Sequence, residues 1–275
     1  MVGVSLPKFN QASFNHSILS NNLVGFYEQP KELASGRVSN FFIRWKEMYN
    51  NQRLLKSTIK FTLGFVKDMG LEPMTICGVP EGMSPFGIAA QLKYISEKSA
   101  SEQNKYTVVT MRKTPKDHGH QLDRYFIGTP KPPILLIEDV STTGLSLLES
   151  MLHAKLAGVH VDFVLSLTDR MEKAPILGVD YYEKVAKYRN TLNSLMNSAF
   201  QRVNPPDVAT AVQLAGGKYF SMSDVSQLLA PAARRAKVST EIKSEILKER
   251  EKFGTEKTPF LEIKRSEVRE KRRNA

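Results

Sequence analysis

Apolar residues along this chain follow two alternating periods. Short runs of aliphatic and β-branched residues, MTICGV (Met74–Val79), ILLIE (Ile134–Glu138) and VHVDFVLSLTDR (Val159–Arg170), are bounded by glycine, proline and polar turns. Between them lie segments with apolar positions at helical spacing: Leu54, Leu55, Ile59, Leu63, Phe65 and Val66 within 46–69, then Phe86–Ser96 and Leu145–Gly158. Strands alternating with helices of about 10–15 residues predict βαβ units and an α/β fold around a mostly parallel sheet.

The flanks are less regular. A helix is predicted around Phe14–Tyr27 and broken at Gln29-Pro30, with a strand at Val38–Ile43 after the Ser35-Gly36 turn. Gly70 is placed to cap the helix over 46–69. Tyr106–Arg112 predicts a strand. The polar segment Lys113–Pro133 is too long for an ordinary connector and reads as a functional loop or hairpin. Beyond Arg170 the pattern predicts a helix at Tyr181–Phe200, an interruption at Asn204–Val208, and a strand end at Phe220 feeding a helix capped by Ser223. From Val238 onward mixed charges predict an exposed helix. The expected organisation is one domain over 1–230, with a helical insertion at 177–217 at a dimer edge, followed by a basic, charge-mixed helical tail at 231–275.

Composition adds limits. With 275 residues, 41% hydrophobic and 24% charged, the chain matches ordinary soluble globular proteins. The sequence has no apolar run long enough for a membrane span, and its N-terminus lacks the pattern of a secretory leader. Cys77 is the only cysteine, so an internal disulfide is excluded. A cytoplasmic location is the expectation. The net charge of +11 asks for anionic partners, and 14 Lys/Arg against 8 Asp/Glu place about +6 of it in 231–275. That tail admits nucleic acid as a partner, but it interleaves Glu with Lys and Arg, which favours a solvated helix.

The candidate chemistry lies in EDVSTTGLS (Glu138–Ser146). Two adjacent carboxylates repel each other, and burial raises their pKa values, yet Glu138 and Asp139 stand together at the end of an apolar strand. Open parallel sheets bind ligands at the carboxyl ends of their strands. The turn Ser141-Thr142-Thr143-Gly144 brings hydroxyls and backbone N–H groups to a helix N-terminus, which suits an anion. A sugar phosphate satisfies both halves, with its phosphate on the turn and its vicinal hydroxyls on the two acids. Helix capping would need only one acid.

This stretch resembles the phosphoribosyl-pyrophosphate (PRPP) loop of type I phosphoribosyltransferases. Other segments resemble the orotate phosphoribosyltransferase family: MRKTPKDHG (Met111–Gly119) its catalytic loop, LASGRVSNFF (Leu33–Phe42) its N-terminal base segment, GVPEGMSP (Gly78–Pro85) its pyrophosphate-facing loop, and LTDRMEKA (Leu167–Ala174) its strand end with a base-gripping arginine. Two lysines common in that family are Ala34 and Gly82 here.

The resemblance implies a type I phosphoribosyltransferase fold with an N-terminal hood and a helical C-terminal extension. It implies PRPP contacts from Glu81, Gly82, Arg112, Lys113, Lys116, His118, Glu138, Asp139, Val140, Ser141, Thr142, Thr143, Gly144, Leu145 and Ser146. Asp139, Lys113, Lys116 and His118 carry the catalytic roles, and Phe42, Ile43, Thr142 and Arg170 face orotate. Mg²⁺ is expected through PRPP and not from protein ligands, and a homodimer shares the catalytic loop. His118 and His120, with no third ligand nearby, make a weak metal site. Two alternatives stand beside this: transfer to another nucleobase, and a non-catalytic PRPP sensor that binds nucleic acid.

Overall fold

The computed structural model describes residues 8–33, 35–173, 182–196 and 207–255. Helix α1 (Gln11–Ser20) starts at Asn10, whose side chain accepts from the Ser13 N–H at 2.8 Å. It does not continue to Tyr27 as its sequence predicts. Asn22 turns left-handed (φ 52), and β1 (Val24–Glu32) pairs antiparallel with β2 (Val38–Ile43). Gln29-Pro30 lies inside β1, where the register shifts between Phe26 and Lys31. Such an irregularity tolerates proline, because the ladder needs no N–H there.

A 3-10 turn (Trp45–Asn50) precedes α2 (Gln52–Asp68). The single helix predicted over 46–69 is split because Asn51 accepts from the Arg53 and Leu54 N–H groups and restarts it. Gly70 follows the helix end in the left-handed conformation (φ 63), as expected of a stop.

Strand β3 (Thr75–Gly78) leads to α3 (Ser84–Ser96) and the short α4 (Ala100–Gln103). The strand predicted at Tyr106–Arg112 shrinks to β4 (Thr110–Met111). Its earlier backbone is satisfied sideways: the Gln91 amide donates to Thr107 O at 2.7 Å and to Met74 O at 2.8 Å. The polar segment after it does form a hairpin, in which α5 (Gln121–Tyr125) returns the chain to β5 (Phe126–Ile127), antiparallel to β4.

Strand β6 (Ile134–Ser141), helix α6 (Leu145–Leu156) and strand β7 (Phe163–Asp169) complete the predicted alternation. Helix α7 (Tyr182–Leu195) packs on α6 through Tyr188 and Leu192, so the described part of the expected insertion is helical and joins the core. The rest of it, 177–181 and 197–206, lies outside the described residues. Helix α8 (Val208–Leu214) and strand β8 (Lys218–Ser221) follow. Next comes α9 (Val225–Arg235), capped by Asp224 and not by Ser223, whose hydroxyl donates to Asn15 Oδ1 at 2.6 Å.

The four-stranded sheet has the order β3-β6-β7-β8, all parallel. Leu135 and Ile137 of β6 face the cluster shared by the hood, α2, α3 and α9, whereas Ile134 and Leu136 face α6, α7 and α8. Coverage on both faces explains the unbroken aliphatic run.

Helix α10 (Thr240–Phe253) is not the solvated tail its charges predict. Ile246 and Arg250 are buried, and its last turns lie against β2. The boundary expected at Pro231 falls inside α9. Residues 256–275 are outside the described set. Among the described residues no helix is long and apolar enough to cross a membrane.

Helix α3 packs closely on β3. A Cβ added at Gly87 would lie 2.3 Å from the backbone nitrogen of Gly78. In an open helix Gly→Ala gains roughly 1 kcal/mol from propensity, but overpacking against rigid backbone costs about 1–3 kcal/mol or more. We expect Gly87→Ala to lower the urea unfolding midpoint, and an unchanged midpoint would show that α3 can shift freely.

Candidate active site

All four parallel strands end at one edge, and β6 delivers the acid pair there. Glu138 is buried; its Oε1 accepts from the Asp139 N–H at 3.1 Å, and Asp139 Oδ1 accepts from the Val140 N–H at 2.8 Å. Burial first, and then the charge of Asp139, push the Glu138 carboxyl well above its ordinary range, with Lys46 pulling the other way. Beyond the acids, Gly144 turns left-handed (φ 77) and opens α6. The turn walls a cavity of about 80 Å³ lined by Ser35, Glu138, Val140 and residues 141–147. A water's share of liquid volume is about 30 Å³, so this space suits a phosphate-sized group. Val140, Ser141, Thr142, Thr143, Gly144, Leu145 and Ser146, all expected at PRPP, are therefore gathered with Glu138 around one cavity.

The turn has a polar floor. Ser141 Oγ is hydrogen-bonded to the Tyr219 hydroxyl, which donates onward to Asp169 Oδ2 at 3.0 Å. Asp169 Oδ1 also accepts from the Met171 N–H at 2.7 Å. Burial raises both acids of this chain, Asp169 moderately and the Tyr219 phenol far more.

Two loops border the edge. In the first, Tyr49 donates to Gly82 O at 2.6 Å, and a Cβ at Gly82 would sit 3.3 Å from Lys46 Cε. In the second, Arg112 is tied to the hairpin, its N–H donating to Tyr125 O at 2.8 Å and its Nε to Asp123 O at 3.1 Å. Arg124 holds the Lys116 backbone in turn, accepting from its N–H at 3.0 Å and donating Nε to its carbonyl at 2.8 Å. Lys113 reaches the first loop at Glu81, 3.7 Å away, with both side chains exposed. Lys116 and His118 are exposed, and none of Arg112, Lys113, Lys116 or His118 lines the cavity of its own chain.

On the hood, Phe42 is half-buried with its ring edge-on to Tyr27 (centroids 4.8 Å apart), and Ile43 pairs with Val24 in the ladder. Arg170 departs from its expected role. It is not an open clamp: it is 2% exposed and stacks on Phe41 at 3.9 Å. Its Nε donates to Glu172 Oε1 at 2.6 Å, and Nη1 to Phe41 O at 3.2 Å. Nη2 donates to Ser39 Oγ at 3.1 Å and to Glu249 Oε1 at 2.8 Å. The reason is electrostatic, since a guanidinium removed from water must find carboxylates.

The same cluster includes Arg37, whose Nη1 donates to the other oxygen of Glu172 at 2.7 Å. Burial alone would raise the Glu172 carboxyl, but Arg170 and Arg37 together hold it below the ordinary range. For Glu249 burial wins and pushes the carboxyl up to about 7, despite Arg170.

Lys46 beside the acid pair, Tyr219 under the turn, and Glu172 and Glu249 around Arg170 are neighbours of the candidate site that sequence reasoning missed. Glu172, two positions after Arg170, carries a local signal. The other three reach the site only through the tertiary fold.

A hooded parallel sheet with an acid pair running into a hydroxyl turn at its carboxyl edge is the architecture of a type I phosphoribosyltransferase. The fold recurs in the solved orotate phosphoribosyltransferase of Francisella tularensis, with TM-score 0.55 and 16% identity over 88% of this chain and 100% of that one. It recurs also in Leishmania donovani UMP synthase, with TM-score 0.54 and 14% identity over 86% of this chain and 42% of that one. No family model matches the chain. In sequence it is 31% identical to the orotate phosphoribosyltransferase of Methanocaldococcus jannaschii over 142 residues, 52% of this chain and 73% of that protein. It is likewise 31% identical to that of Thermococcus kodakarensis over 144 residues, 52% of this chain and 71% of that protein. The chain belongs to the orotate phosphoribosyltransferase family.

Tyr219→Phe tests the floor of the turn. It removes the partner of the Ser141 hydroxyl and the donor to Asp169 Oδ2, which costs about 1–3 kcal/mol. We expect a lower denaturant midpoint together with weaker PRPP binding by calorimetry. A drop in stability with unchanged PRPP affinity would separate the floor from the site.

Proposed function

We propose that this protein transfers the 5-phosphoribosyl group of PRPP to orotate, giving orotidine 5′-monophosphate and pyrophosphate. The observation that carries this reading is the pairing of buried Glu138 with half-buried Asp139 at the mouth of a phosphate-sized turn, in a chain of this family. The 5′-phosphate takes the N–H groups and hydroxyls of residues 141–146, and the ribose hydroxyls donate to the two acids. As the bond from the sugar to pyrophosphate breaks, positive charge grows on the ribose, where Asp139 lies, and negative charge grows on the leaving oxygens. Arg112, Lys113, Lys116 and His118 are the groups that neutralise the latter.

Because these four side chains stand away from their own cavity, sharing the hairpin between two copies in a homodimer is the arrangement that uses them. Mg²⁺ binds readily to substrate phosphates, so the pyrophosphate oxygens of PRPP would hold the ion and it would offset their charge, while Glu138 and Asp139 serve the ribose hydroxyls. Phe42 and Ile43 border the base from the hood.

Lys46 adds a contact beyond those expected from the resemblance. Its amine lies near Gly82 and opposes the charge of Glu138, where a pyrophosphate oxygen would find it. The engagement of Arg170 by Glu249 favours a second reading, transfer to a base without a carboxylate.

A steady-state assay with PRPP, Mg²⁺ and orotate, run beside uracil, hypoxanthine and adenine, decides between these. Orotate turnover that collapses in Lys116→Ala is expected; turnover of a neutral base alone would move the assignment, and PRPP binding without turnover would leave a sensor. Lys46→Ala should raise the KM for PRPP about tenfold, the scale of one partly exposed charge-assisted bond, with an unchanged thermal midpoint. An unmoved KM would remove Lys46 from the site.

A further inference from the structure

Helix α10 brings a carboxylate to the guanidinium that the family resemblance gives to the base. Two kinds of partner surround Arg170. Glu172 and the Phe41 carbonyl come from its own turn and from the hood strand, and Glu172 is 1% exposed and shared with Arg37. Glu249 is different. It arrives from the far end of the chain, meets only the outer nitrogen Nη2, and its second oxygen is held by the Ser39 hydroxyl at 2.9 Å.

The helix end grips the same turn by its backbone. Arg250 Nη1 donates to Arg170 O at 2.6 Å and Nη2 to Met171 O at 3.2 Å, and Met171 itself is left-handed (φ 51). A left-handed methionine persists only where its surroundings hold it.

Arg37, Arg170 and Arg250 are gathered with Glu172 and Glu249, Asp169 acts on Arg250 as well, and Glu249 is the carboxylate on Arg170 Nη2 that a withdrawal of α10 would remove. Buried charge must be compensated, and α10 therefore yields its place only to another anion. Burial has already brought the Glu249 carboxyl up to about 7, so its ionised form is held weakly there. A carboxylate attached to an acidic pyrimidine stays ionised and can replace it.

We propose that Glu249 is a specificity-determining residue of the base subsite, supplying in cis the carboxylate that Arg170 takes from the base when the base displaces it. The inference rests on orotate being the substrate. Under it, a neutral base cannot replace Glu249 and leaves the clasp shut, whereas orotate opens it.

The test is Glu249→Gln, which keeps size and hydrogen bonding and removes the competing charge. We expect the KM for orotate to fall by on the order of five- to tenfold, the range of a modest coupling between two ligands of one group. The KM for PRPP should stay where it is. A folded variant with unchanged or raised orotate KM overturns the inference while wild-type turnover of orotate keeps the reaction assignment. Orotate turnover by neither protein removes the assignment and the inference together. Hydrogen exchange on the wild-type chain gives the second readout if the variant does not fold. Saturating orotate should speed exchange over 240–253, and unchanged or slowed exchange there also overturns the proposal.

Discussion

A guanidinium buried to 2% exposure sets the terms for the whole carboxyl edge. Removing such a charge from water is affordable only with carboxylates and carbonyls packed around it. Arg170 gathers them from both ends of the chain: Ser39 and Phe41 on the hood, Glu172 on its own turn, and Glu249 on α10. The hood needs this anchorage, since a two-stranded ribbon is marginal by itself in water. Its inner face is also held by Trp45, which stacks on Phe14 and donates to Thr168 Oγ1 at 3.0 Å. Through the Arg170 N–H, which donates to Ser141 O at 2.9 Å, the same residue is joined to the turn that opens α6.

A second constraint runs along β6. Its first four residues are aliphatic and covered on both faces, and its fifth is a carboxylate in the same surroundings. Burial limits the relief that water gives Glu138, and within the protein the relief is local: the Asp139 N–H and the opposing charge of Lys46. Ligand hydroxyls would supply more donors to the same oxygens. Below the turn, Ser141, Tyr219 and Asp169 are linked in one hydrogen-bonded chain that fixes the hydroxyl rotor of Ser141. The edge is preorganised in its anionic half before any ligand arrives.

What could be read from the chain alone follows from how local each determinant is. Strands β3, β6 and β7 and helices α2, α3 and α6 were legible, because aliphatic runs and the glycine stops act within a few residues. The acid pair and the hairpin that follows Arg112 were legible for the same reason. Strand β1 was not, since Gln29-Pro30 looks like a break until β2 supplies a partner with an irregular register. The strand over Tyr106–Arg112 shortened because Gln91, more than a dozen residues earlier, took the Thr107 carbonyl. Ser223 lost the cap of α9 to Asp224 once Asn15 accepted its hydroxyl. The position of Arg170 at a strand end was readable, but its partner on α10 was hidden behind a charge pattern that looked solvated.

The distribution of charge between interior and water also follows the chemistry. Charges needed in every state of the protein, those of Arg37, Arg170 and Glu172, are buried and mutually paired. The cations that the proposed reaction gives to the leaving group are kept apart from them: Lys113, Lys116 and His118 are exposed on the hairpin closed by the two-residue β4–β5 ladder. That separation has a physical reason. Pyrophosphate acquires its extra negative charge only as its bond to the sugar breaks, so a cation that stabilises it fully beforehand would stabilise the ground state equally and gain nothing in rate. Under the proposed reaction a solvated set of cations avoids this, because it would lose its water and meet the oxygens only on closure of the hairpin over the charged site. The Glu81–Lys113 pair, 3.7 Å apart and open to solvent, is weak enough to be given up at that step.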